Sequence, residues 1–83
     1  MKRYASHFVI LSGQDYLKQH VVELENGYVV NVFPLTEELE DIEWLPGAIY
    51  LTKAEGGLTA TYVPDFDITT MQPVAGTRRK QLL

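Results

Sequence analysis

At 83 residues the chain is one domain at most, and a domain this small buries only roughly 60–65% of its unfolded surface. With 46% hydrophobic and 22% charged residues and no cysteine, the composition is that of an ordinary globular domain and excludes disulfides and thiolate metal sites. The net charge of −4 argues against general nucleic-acid binding, and no apolar run approaches the roughly 20 residues of a membrane-spanning helix.

The chain opens with "MKRYASHFVILSGQ". Lys2 and Arg3 ahead of an apolar run imitate a short signal peptide, but Ser6 and His7 interrupt the run, and a strand is the better reading. "YASHFVIL" (4–11) is the first expected strand and stops at the turn cluster "SGQD". "LKQHVVEL" (17–24) and "YVVNVF" (28–33) flank Asn26-Gly27, the pair that a two-residue type I′ hairpin prefers because both central positions need positive φ. That turn predicts pairing of Glu25 with Tyr28, Leu24 with Val29, Glu23 with Val30, Val22 with Asn31, Val21 with Val32 and His20 with Phe33. One face then carries Leu24, Val29, Val22 and Phe33. The other carries Tyr28, Val21, Val30 and Val32, and is too apolar to be left wet.

"PLTEELEDIEW" (34–44) breaks the β pattern, and a loop or one helical turn capped by Thr36 is expected there. Pro46-Gly47 restarts an extended segment. "AIYLTK" and "LTATYV" flank Glu55-Gly56 as a second hairpin, with Lys53 opposite Leu58, Thr52 opposite Thr59, Leu51 opposite Ala60 and Ile49 opposite Tyr62. After Pro64 one short strand is expected around Ile68–Met71, followed by a tail. The chain therefore reads as all-β: a small β-sandwich or open barrel built from hairpins, with at most one short helical turn. Residues 1–75 form the domain and 76–83 a basic C-terminal tail.

Residues 1 to about 51 resemble the N-terminal segment of metal-dependent amidohydrolases, the cytosine-deaminase and imidazolonepropionase-like group. The features that carry the likeness are a first strand, a hairpin, a short acidic connection and Pro46-Gly47. In that family such strands belong to a small β composite domain, and the chain then enters a catalytic TIM barrel through an Asp and a His-x-His metal motif. Here Tyr50 stands where the family has Asp, and Thr52 and Ala54 stand where it has the two His. Neither side chain is a usual zinc or iron ligand, and the roughly 200 or more residues of a TIM barrel are missing. The resemblance implies a composite β domain without its catalytic half.

The chemistry-bearing residues are few. His7 and His20 are the only histidines, and a metal site would need both plus a carboxylate such as Asp15 or Glu23. Asp65 and Asp67 share a face if extended, but ordinary turn chemistry is the simpler reading. Ser6 and His7 are neighbours on a strand and point to opposite faces, so they form no nucleophilic dyad. The acidic run Glu37, Glu38, Glu40, Asp41 and Glu43 is a candidate docking surface for a basic partner. Arg78, Arg79 and Lys80 are candidate contacts for an acidic one.

The expectation is a non-catalytic domain with no cofactor and no metal. It acts through self-association or as an accessory module in the cytoplasm, with a second copy or another protein as partner and Tyr28, Val21, Val30 and Val32 as the candidate interface. A small-ligand-binding β module, with the ligand held between sheet and tail, is the alternative.

Overall fold

Asn26 and Gly27 take φ values of 55° and 83°, the two left-handed conformations a type I′ turn requires. In a computed structural model, which describes residues 1–11, 15–36 and 40–83, this turn joins β2 (Tyr16–Glu25) to β3 (Tyr28–Pro34). Ahead of them runs β1 (Lys2–Ile10). After them come β4 (Ile42–Ala54), β5 (Gly57–Val63), the short pair β6 (Phe66–Asp67) and β7 (Gln72–Pro73), and β8 (Lys80–Leu82).

The main sheet has the order β3-β2-β1-β4-β5-β8, and β6-β7 form a separate two-stranded piece. β1 and β4 pair in parallel; every other neighbour in the main sheet is antiparallel. The fold is the expected all-β one, with the two ends of the sheet curled towards each other. Tyr28 of β3 lies against Gly56 and Gly57, and its hydroxyl donates to the Glu55 carbonyl at 3.4 Å.

The inner face of the curl is the core. Val9, Val22, Leu24, Ile49, Leu51, Ala60 and Leu82 are buried there, with Tyr4, Leu17, Val29, Val32, Leu45 and Tyr62 packed against them. On the outer face a row runs Phe33, Val21, Ala5, Trp44 across four strands. Farther along, β6 lays Phe66 over Phe8 and Tyr50, with ring centroids 5.7 and 6.2 Å apart.

The second hairpin has the register read from the sequence; the first does not. Glu25–Tyr28 and Leu24–Val29 pair as expected, but a β-bulge then shifts the strand, so that Glu23 faces Asn31, Val22 faces Val32 and Val21 faces Phe33. One extra residue in a strand exchanges its faces from that point on. Val32 therefore joins the core, and Phe33 leaves the face expected to be the core and lies opposite Val21 on the outer one.

Three further expectations are corrected. The stretch before Pro46-Gly47 is not loop to its end: Ile42–Leu45 pair with Arg3–Ser6, a distant partner that local sequence does not announce. The Glu37–Leu39 part of the expected turn lies outside the described residues. Ile68–Met71 is a turn between β6 and β7, where the Asp67 carboxylate accepts the Thr69 and Thr70 amides at 2.8 and 3.4 Å. Residues 76–83 are not a tail apart from the domain, because β8 pairs with β5 and Leu82 is only 4% exposed.

Candidate functional site

A line of irregular backbone crosses the middle of the sheet. β4 spends two residues, Pro46 and Gly47, where β1 spends one, His7. Gly47 takes φ +115°, and a Cβ there would stand 2.5 Å from the Val63 carbonyl oxygen and 2.7 Å from that of Pro64. Only glycine fits this position. Its peptide groups are held from β1: Ser6 Oγ donates to the Gly47 carbonyl at 2.9 Å, and the Gly47 N–H donates to His7 Nδ1 at 3.5 Å. The Tyr62 hydroxyl donates to the Pro46 carbonyl. Burial, with Asp65 adding to it, pushes the Tyr62 phenol above its ordinary value. On β2, Gln19 is left-handed at φ 53°, and its carbonyl takes the Leu35 N–H at 2.9 Å.

Beside this line, on the outer face, lies an open groove of about 510 Å³ lined by His7, Phe8, Lys18, Gln19 and Ile68. Phe8 and Lys18 are direct partners across β1 and β2, and Ile68 comes from the β6–β7 turn. The His7 ring meets Trp44 edge-on at 4.9 Å, and Tyr16 meets Phe8 in the same way at 5.7 Å. An apolar floor thus carries one ammonium, one imidazole and one amide. Nothing local in the sequence marks Lys18, Gln19 or Ile68 as a group, because the β6–β7 fold-back and the break at Gln19 create the groove.

A second polar cluster lies at the far end of the outer face. Arg3 Nε donates to Glu23 Oε2 at 2.6 Å and Asn31 Nδ2 donates to Glu23 Oε1 at 3.2 Å. The Arg3 hydrogen bond holds the Glu23 carboxyl below its ordinary value against desolvation, with help from Asn31 and the Arg3 charge. This cluster closes on itself and reads as structural.

The structure does not bring the expected interface together. Val21 is 0% exposed within the chain itself, and Val32 packs on the core. Val30, at the bulge, is 51% exposed, and Tyr28 is also exposed. Leu58 and Leu83 are exposed too, where the sheet ends approach, since Gly27 lies next to Leu83 and Tyr28 next to Gly57.

Glu40, Asp41 and Glu43 are exposed around the start of β4, whereas Glu37 and Glu38 lie outside the described residues. Arg78, Arg79 and Lys80 are exposed; Lys80 opens β8, and the Arg79 charge tempers the burial that raises the Tyr50 phenol. Thr52 and Ala54 are exposed on β4. His20 Nδ1 lies 3.0 Å from the Lys18 carbonyl. Among the described residues, no group of three His, Cys, Asp or Glu is placed to hold a metal, and no helix is long and apolar enough to cross a membrane.

Comparison with family models, with curated proteins and with solved structures returned no match.

Proposed function

We propose that this chain is a non-catalytic β module that works by association, first with a second copy of itself. The observation that carries the reading is that Tyr28, Val30, Leu58 and Leu83 are large apolar side chains left exposed on elements that meet at the seam of the curled sheet. A chain of this size without disulfides gains from covering such side chains.

The contact is made by side chains and not by adding a strand, because the β3 edge is blunted. It is bulged at Val30, its Val32 N–H is taken by the Asn31 side chain at 3.0 Å, and Pro34 ends it. Segment 28–36 carries no charge, so a two-fold contact along it sets no like charges against each other. The resemblance of residues 1 to about 51 to an amidohydrolase composite segment supports an accessory role in the cytoplasm. So does the engagement of Ser6 and His7 with the backbone of Gly47, which leaves neither arranged as a nucleophile and its base. Mass in solution, measured on wild type and a Val30→Glu variant, tests the reading.

A second reading has its own observation. The outer-face groove has the volume of a small-molecule site and is separate from the seam, which favours a small-ligand-binding module.

A further inference from the structure

We infer that the outer-face groove binds a small organic acid, a carboxylate joined to a flat apolar body. The inference rests on the ligand-binding reading above and gives that ligand its chemical class.

The floor and overhang of the groove are Phe8 and Ile68. Ile68 is 65% exposed although it stands over a cavity, so an apolar body placed there removes water from both residues. Aromatic surface continues on two sides, through His7 to Trp44 and through Phe8 to Tyr16. A flat ring therefore meets faces and edges in the arrangements aromatic groups prefer.

Among the described residues the polar lining is of groups that can donate a hydrogen bond. Lys18 contributes an ammonium and Gln19 an amide. His7 accepts the Gly47 N–H at Nδ1, so the neutral ring carries its proton on Nε2 and is a donor there. Among the described residues the ion pair present is Arg3–Glu23; Lys18 is in none, and no carboxylate lines the groove. Among the described residues no ion pair balances this positive charge, in a chain of net charge −4.

The match is to one anion of low charge. A phosphate calls for several cations or a nest of backbone N–H groups, whereas a single ammonium on an apolar floor suits a carboxylate. A groove of about 510 Å³, with five lining residues among the described ones, is the size for one small molecule and far below what a protein interface covers. The left-handed Gln19 fits this use, since a non-glycine residue in that conformation stores strain, and such strain gathers at binding sites.

Trp44 is the single tryptophan, and it touches the groove through His7, so its fluorescence reports on the site. The full chain is titrated to about 10 mM, above the roughly millimolar dissociation constant usual for so small a ligand, with three probes that share one body. These are phenylacetate, 2-phenylethanol and 2-phenylethylamine. Backbone amide shifts of His7, Lys18, Gln19 and Ile68 are followed alongside the fluorescence.

The expected result is saturable binding of phenylacetate, at least about tenfold tighter than the alcohol, with no binding of the amine. Lys18→Met, on an exposed position, removes that preference while the alcohol binds as before. Ile68→Asp weakens phenylacetate and the alcohol alike. Equal binding of all three probes, or a preference unchanged in Lys18→Met, overturns the acid while leaving the ligand reading in place. No shift from any probe overturns both.

Discussion

Ser6 Oγ donates to the Gly47 carbonyl at 2.9 Å across the parallel β1–β4 pair, and Ser6 is wholly buried. Removing the hydroxyl leaves the part-buried Gly47 carbonyl without its side-chain donor, which costs about 1–2 kcal/mol. Ser6→Ala is expected to fold with that loss in chemical denaturation. Gly47→Ala is expected to lose at least about 3 kcal/mol, because a Cβ collides with the backbone of Val63 and Pro64 at a φ that alanine avoids. Equal, small losses in the two variants would contradict the clamp.

Gly27→Val places a β-branched residue at φ +83°. A Cβ there meets Leu83 at an ordinary 3.6 Å, so the cost is in the backbone, about 1–2 kcal/mol. An unchanged melting temperature would remove the type I′ turn.

Glu23 carries a pH dependence of definite sign. Its folded-state pKa lies below the ordinary 4.5, so its contribution is present above that pH and is lost as pH falls through the folded value. Wild type should lose stability below about pH 4.5 more steeply than Glu23→Gln, with the two curves converging in acid. Denaturant midpoints from pH 7 to pH 3 check this; parallel curves would show that the Arg3–Glu23–Asn31 cluster does not form in solution.

Leu82 and Leu83 are neighbours with opposite fates, one in the core and one exposed. Leu82→Ala is expected to cost about 2–3 kcal/mol and Leu83→Ala less than about 0.5 kcal/mol. Similar values for both would mean that β8 is not part of the sheet.

How legible this fold was depended on how local its cause is. Asn26-Gly27 and the 48–63 hairpin carry their own instructions, and Lys53–Leu58 through Ile49–Tyr62 pair as read. The bulge at Val30 is set by one residue beside Glu23, whose carboxylate binds Arg3 and Asn31 from two other strands. Alternation within β3 does not contain that information, so Val32 and Phe33 were each read onto the wrong face. β8 was hidden because Arg78, Arg79 and Lys80 read as a solvated end, although Leu82 behind them fills the core. The groove was hidden for a related reason: His7 was visible as a lone histidine, but its neighbours come from the Gln19 break and the β6–β7 turn.

The most direct test of association through the seam is the mass of the full chain in solution, by light scattering at low micromolar concentration, on wild type and Val30→Glu. Val30 is exposed within the chain, so the variant should fold with a circular dichroism spectrum and melting profile close to wild type. The expected wild type is a dimer whose interface covers at least about 1,000 Å² in total, and the expected Val30→Glu is a folded monomer. A wild type that is monomeric throughout, or a Val30→Glu variant that remains dimeric, would contradict the account.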